Sequence, residues 1–228
     1  MLLNEILWLI SAVAYPGLSV PPAPPAALAP ANAKAVQFDW TRFGQSLKTH
    51  IPKELQGDPS LRQAQYLAEQ TAEKLAALGI PPNYDHAGRK RAQRRFQDST
   101  LGTCGHTAMC VKQVWLGAAF PEKSCKTLIV MKRQADGQLV NEINADHAAM
   151  VYLHPDGPIV FDLWCDGRAQ KSTFANFRAS VWKGMPAGEW ARRMAQEGYT
   201  HSGCQEHPEL GEVPPLQLPE LLSKLKVE

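Results

Sequence analysis

The tetrapeptide His154-Pro155-Asp156-Gly157 constrains this chain more than any other feature. It is a strong turn signal, and an apolar run lies on each side of it. HAAMVYL (His147 to Leu153) precedes it and PIVFDLW (Pro158 to Trp164) follows. Two such runs about a tight turn read as an antiparallel hairpin. Upstream, TLIVM (Thr127 to Met131) is rich in β-branched residues, and Ala135, Asp136 and Gly137 supply a turn after it. The expected centre of the fold is therefore an antiparallel meander.

Helical spacing surrounds the meander. TCGHTAMCVKQVWLG, after Gly102, sets Ala108, Val111, Val114 and Trp115 on one side of a helix. Further upstream, Asp58 is a good N-cap and Pro59 suits a first turn. Leu61, Ala64, Leu67, Ala68, Thr71, Leu75 and Leu78 then recur at helical spacing, and Gly79 with Pro81-Pro82 stops them. Downstream, GEWARRMAQEG and PELLSKLKV read as short helices among the irregularly placed Pro208, Pro214, Pro215 and Pro219. The pattern is α+β, helices packed on a small antiparallel sheet.

Residues 1–36 differ from the rest, with Glu5 and Lys34 as their only charges. The apolar run Ile6 to Ala14 is shorter than the roughly 20 residues that span a bilayer, so no transmembrane span is expected. It has the length of a signal-peptide core, with Ala12-Val13-Ala14 or Ala27-Leu28-Ala29 as cleavage sites. Against that, Glu5 stands where a positive charge belongs. Pro21, Pro22, Pro24, Pro25 and Pro30 make the following stretch extended. The reading is a leader or tether over 1–36 and a single domain over 37–228. With 44% hydrophobic and 20% charged residues, the chain is neither globally disordered nor a coiled coil.

Charge narrows the partners. The chain has 24 basic and 22 acidic residues, which excludes a dominant polyanion-binding surface. One local exception is Arg89, Lys90, Arg91, Arg94 and Arg95, a run with no acid among them. It reads as a solvated helix face, or as a contact for an acidic partner or nucleic acid. Only Phe96 interleaves it, so the nucleic-acid signal is weak.

The chemistry centres on a thiol. Five cysteines cannot all pair within one chain, so at least one is free. Cys104 opens a predicted helix in Leu101-Gly102-Thr103-Cys104-Gly105-His106. A thiol there feels the positive end of the helix dipole, which favours thiolate. Small neighbours admit a carbonyl, and free backbone N–H groups can hold an oxyanion. A thiolate nucleophile needs a base, and the base needs an orienting group. His147, after a polar turn at Asn141 to Asp146, is the candidate base. Asp162, a carboxylate within an apolar strand, is the candidate orienter, because burial without a partner is costly. Folding the hairpin about its turn brings His147 opposite residues 162 to 164. Asp166 is the fallback orienter, and Arg168 an alternative partner for Asp162. His106, two residues after Cys104, points about 200° away on the helix and is expected at the surface or behind the site.

The remaining thiols have blander readings. Cys110 is expected in the core. Cys110, Cys125, Cys165 and Cys204 form two disulfides in an oxidising compartment or stay reduced in the cytosol. His201, Cys204 and His207 lack the second ligand pair that a zinc site shows, so no metal is assigned.

In order and spacing these residues resemble the transglutaminase-like branch of the papain-like cysteine enzymes. The matching pieces are Gly102-Thr103-Cys104, then Asp146-His147-Ala148-Ala149-Met150-Val151-Tyr152-Leu153, then Val160-Phe161-Asp162. The resemblance covers residues 97 to 167, under a third of the chain. It implies a papain-like or transglutaminase-like core, with the nucleophile helix packed on the sheet. It also implies a side chain before the cysteine at the oxyanion hole, where Gln97 competes with Gln93 and Asn144. Within the branch, peptidases, glutamine deamidases, transglutaminases and arylamine acetyltransferases share these positions. The expected function is a cysteine-dependent amide hydrolase that needs no cofactor. Its substrate would be a protein or peptide, cut as by a protease or deamidated at glutamine through a thioester. The alternatives are an acyltransferase and a non-catalytic binding module on the same scaffold. Size and the Pro-rich lead suit, by analogy, a secreted or injected bacterial effector, with a cytoplasmic location as the alternative.

Overall fold

The computed structural model describes residues 38–53, 61–80, 86–141, 145–162 and 184–225. The chain divides into two units at Val36 and Gln37, and every described residue belongs to the second. Among the described residues there are six α-helices and one five-stranded sheet, a mixed helix-and-sheet architecture.

Helix α1 (Trp40–Lys48) starts where the Asp39 carboxylate accepts the Arg42 N–H at 2.8 Å, closing the first turn as an N-cap does. Helix α2 (Leu61–Ala77) buries Ala64, Leu67, Ala68, Thr71 and Leu75 of the stripe its periodicity predicts, with Ala72 beside them, while Leu61 is half-buried. It ends at Gly79, whose φ of 72° is the left-handed conformation that lets Ile80 N–H reach back to the Leu75 carbonyl. The expected start at Asp58 lies outside the described residues. Helix α3 (His86–Phe96) carries the basic run, and helix α4 (Cys104–Gly117) opens on the candidate nucleophile.

The strands are β1 (Cys125–Met131), β2 (Asp146–His154), β3 (Gly157–Phe161), β4 (Met185–Pro186) and β5 (His201–Cys204). Helix α5 (Ala187–Gln196) precedes β5, and α6 (Leu218–Ser223) closes the described chain. Every strand pairing is antiparallel and the order across the sheet is β4-β3-β2-β1-β5. The tight turn pairs His154 with Gly157, so the hairpin forms as the tetrapeptide predicts. Among the described residues β3 pairs as far as Phe161, so Asp162, expected within the strand, sits just past its last paired residue; Leu163 and Trp164 lie outside the described residues.

Helices cover both faces of the sheet. Met150, Tyr152 and Phe161 pack against α1, α2 and α4 in one core, around Trp115, which donates its indole N–H to the Ala64 carbonyl at 3.1 Å. Ala149, Val151, Leu153 and Val160 point the other way into a second core with Trp190 and Met194 of α5 and Leu218, Leu221 and Leu222 of α6. A central strand buried on both faces explains why HAAMVYL is continuously apolar and not alternating. No helix of the described residues is long and apolar enough to cross a membrane.

Candidate active site

The site is built where the first residue of α4 meets the second residue of β2. Thr103 caps α4, its hydroxyl accepting the His106 N–H at 3.2 Å. Just before it, Gly102 has a φ of 71°, a left-handed turn that glycine adopts without strain. Its N–H is taken by His106 Nδ1 at 3.3 Å. Cap and glycine together set the first turn of α4 and the direction in which the Cys104 thiol leaves it.

Cys104 is partly exposed and is hydrogen-bonded to His147. His147 is 3% exposed and its Nε2 lies 2.7 Å from Asp162 Oδ1. Because Met150 faces Phe161, Asp162 continues the register opposite Ala149, two residues from His147. The contact is therefore the diagonal one, within reach of an imidazole and a carboxylate on the same face. With Nε2 turned to Asp162, Nδ1 is the ring nitrogen left for the thiol. The second carboxylate oxygen, Asp162 Oδ2, accepts the indole N–H of Trp190 from α5. Four side chains from α4, β2, the end of β3 and α5 thus form one hydrogen-bonded series: Cys104, His147, Asp162, Trp190.

The electrostatics follow from that series. Burial opposes a charge on His147, but the Asp162 carboxylate and its hydrogen bond outweigh it and raise the imidazole to about 10. Burial likewise works against the Cys104 thiolate. The hydrogen bond and charge of His147, with a bond from the Ala148 backbone, more than offset this, while Asp146 opposes, so the thiol lies below its usual value. The other described thiols go the opposite way. Burial raises Cys110, and raises Cys125 and Cys204 to about 12. All four described cysteines are free, and Cys165 lies outside the described residues.

Beside the thiol a narrow apolar recess is lined by Cys104, Thr107, Ala108, Ala148, Met150 and Phe161, among others. It holds no more than about one water. Tyr199, 4% exposed, packs beside the base, its ring 6.5 Å from that of His147.

Cys104, His147 and Asp162 are brought together; Gln97 is not. Gln97 is exposed, at φ 55°, on the turn after α3, and no shared cavity or hydrogen bond links it to Cys104 among the described residues. Gln93 spends its amide N–H groups on the Ser99 and Leu101 carbonyls, at 2.8 and 2.9 Å. Asn144, Asp166 and Arg168 lie outside the described residues. At the helix start, the Cys104 and Gly105 N–H groups have no intrahelical acceptor, as first-turn donors do not.

His106 is not at the surface. It is 8% exposed, with Nδ1 on Gly102 N–H and Nε2 3.7 Å from the Cys110 sulfur. Burial lowers it to about 4, so it is a neutral packing group behind the thiol. His201 and Cys204 stand three residues apart on β5 and so face opposite ways. Among the described residues, no three His, Cys, Asp or Glu side chains gather to hold a metal. Sequence reasoning missed Trp190. Its spacing with Ala187, Ala191 and Met194 signals only an apolar helix face, and nothing local marks its N–H as a carboxylate donor.

No family model matches the chain, and no curated protein or solved structure matches it.

Proposed function

We propose that this chain is a cysteine-dependent amide hydrolase of the papain-like, transglutaminase-like kind, acting on a protein substrate. The observation that carries the reading is the hydrogen-bonded series from Cys104 through His147 to Asp162, with the thiol lowered at one end. In this reading the Cys104 thiolate attacks an amide carbonyl, and the first-turn N–H groups of α4 stabilise the oxyanion. His147, protonated, gives its proton to the departing amine as the C–N bond breaks, leaving a thioester. His147 then takes a proton from water, hydroxide adds to the thioester, and the acid and the thiol are released. Asp162 orients the ring throughout and stabilises it whenever it is protonated. If the amide is a peptide bond, the enzyme is a protease. If it is a glutamine side chain, the products are glutamate and ammonia. Release outside the producing cell, as an effector, is part of the proposal and rests on analogy alone.

Alkylation by iodoacetamide with mass mapping tests the nucleophile. Near neutral pH, Cys104 should react fastest of the five cysteines, and His147→Ala should slow it and move its pH midpoint upward, because burial remains while the partner is gone. A slower Cys104 than Cys125 or Cys204 defeats the reading. Intact mass of a candidate target then separates the reactions: a gain of about one dalton marks deamidation, and fragments mark proteolysis.

A further inference from the structure

We propose that the exposed face of α3 is a docking surface for an acidic segment of the protein substrate, beside the loop that leads into Cys104. The proposal rests on the amide-hydrolase reading and supplies its substrate class. Helix α3 holds Arg89, Lys90, Arg91, Arg94 and Arg95 and no acid. Lys90 with Arg94, and Arg91 with Arg95, are like charges four residues apart, a spacing that works against the helix. All four are exposed, and none of them forms a salt bridge among the described residues. The helix is held in place by its other side, where Ala92 is 2% exposed. A face kept at that cost is matched by a ligand of opposite charge.

The shape beside it fits an extended peptide. An open hollow is lined by Lys90, Gln93, Arg94, Gln97, Asp98 and Ser99. Asp98 is the one acid of the six, and its Oδ1 is occupied by the N–H and hydroxyl of Thr100 at 2.8 and 2.6 Å. Two cations suit carboxylates, and the Gln97 amide and the Ser99 hydroxyl suit a peptide backbone. The hollow is joined to the site by Gln93, whose bonds to the Ser99 and Leu101 carbonyls fix the segment leading into Gly102 and Cys104. A nucleic acid is the weaker fit. It would want aromatic rings for its bases, and Phe96 lies under the Arg95 guanidinium at 5.1 Å.

The test uses the full chain with Cys104→Ala, so that binding is read without turnover. A fluorescein-labelled glutamate-rich peptide of a dozen residues and a single-stranded DNA of similar charge are titrated by anisotropy. The peptide should bind, and the Lys90→Glu/Arg94→Glu pair should weaken it at least tenfold. Reversing the exposed Lys48 and Lys123 should change it less than twofold. If the α3 reversal perturbs the circular dichroism, Lys90→Gln/Arg94→Gln replaces it, with the same expectation. Equal losses from both pairs, no loss from the α3 pair, or DNA that binds more tightly and displaces the peptide each overturn the proposal. Alkylation of Cys104 in the parent chain is read separately, so a failed docking surface and a failed nucleophile give different results.

Discussion

Asp162 is 2% exposed, and both its oxygens are taken, one by His147 and one by Trp190. A buried carboxylate with a vacant lone pair costs about 1–3 kcal/mol. Trp190→Phe keeps a ring in the second core but removes the N–H. It should lower stability by that amount in urea titrations and slow Cys104 alkylation at neutral pH, since a less firmly held carboxylate supports the imidazolium less. A second residue-scale effect belongs to His106. Its Nδ1 accepts the Gly102 N–H, which requires the neutral ring. Folded, it titrates near 4, against 6.5 when unfolded. Its contribution is therefore complete above pH 6.5 and is lost as pH falls through 4, a total on the order of 3 kcal/mol. His147 adds nothing to this loss: with a folded value of about 10, its contribution grows slightly as pH falls through 6.5 and is complete below that. His106→Asn keeps an acceptor for Gly102 but cannot titrate. Its urea midpoint should fall less than the parent's between pH 7 and 4.5; equal falls would assign the acid sensitivity elsewhere. The three residues of the candidate site, Cys104, His147 and Asp162, were legible in the sequence because each is expensive or odd where it stands: a thiol at a helix start, a His before an apolar strand, an Asp among Ile, Val and Phe. His106 and Trp190 were not, because their roles depend on which atom faces which neighbour.

Among the elements, α1 and α4 cross with their backbones close together. A Cβ on Gly44 would lie 2.2 Å from the Val114 carbonyl oxygen, and one on Gly117 would lie 2.1 Å from that of Thr41. Each helix thus contributes a glycine where the other's backbone passes, and α1 locks the far end of the helix that begins at Cys104. Gly44→Ala improves intrinsic helix propensity by up to about 1 kcal/mol, but the clash is with backbone, which cannot rotate aside. The net should be destabilisation by about 1–3 kcal/mol, read as a lower urea midpoint. A neutral or stabilising result would mean that the crossing relaxes. At this scale the sequence was informative where period and punctuation agreed: α4, the β2–β3 hairpin and the Gly79 stop. Strand β5 was not legible. His201-Ser202-Gly203-Cys204 has no β-branched residue, and it is held by pairing with β1 and by Ser202 bonding the Val213 carbonyl at 3.0 Å, both distant in sequence.

For the molecule as a whole, the sheet is a partition between two cores, and the candidate site crosses it. Cys104 belongs to a helix of the first core, Trp190 is in the second, and His147 on β2 and Asp162 just past β3 come from the sheet between. The α+β class was readable, but helices on both faces were not, because a doubly buried strand and a buried helix segment look alike in sequence. The arrangement makes the thiol sensitive to the layer it does not sit in. Met194, fully buried, lies one helical turn beyond Trp190 on α5; Leu75, equally buried on α2, touches the first core alone. Met194→Ala and Leu75→Ala should each cost about 2–5 kcal/mol by leaving a cavity. Under conditions where both variants remain folded, Met194→Ala should also slow Cys104 alkylation, because a loosened α5 lets the Trp190 N–H drift from Asp162. Leu75→Ala should leave that rate near the parent's. The comparison separates general loss of stability from loss of the specific support that α5 gives the carboxylate. Equal slowing in both variants would show that thiol reactivity follows overall stability and that the series ends, in effect, at His147.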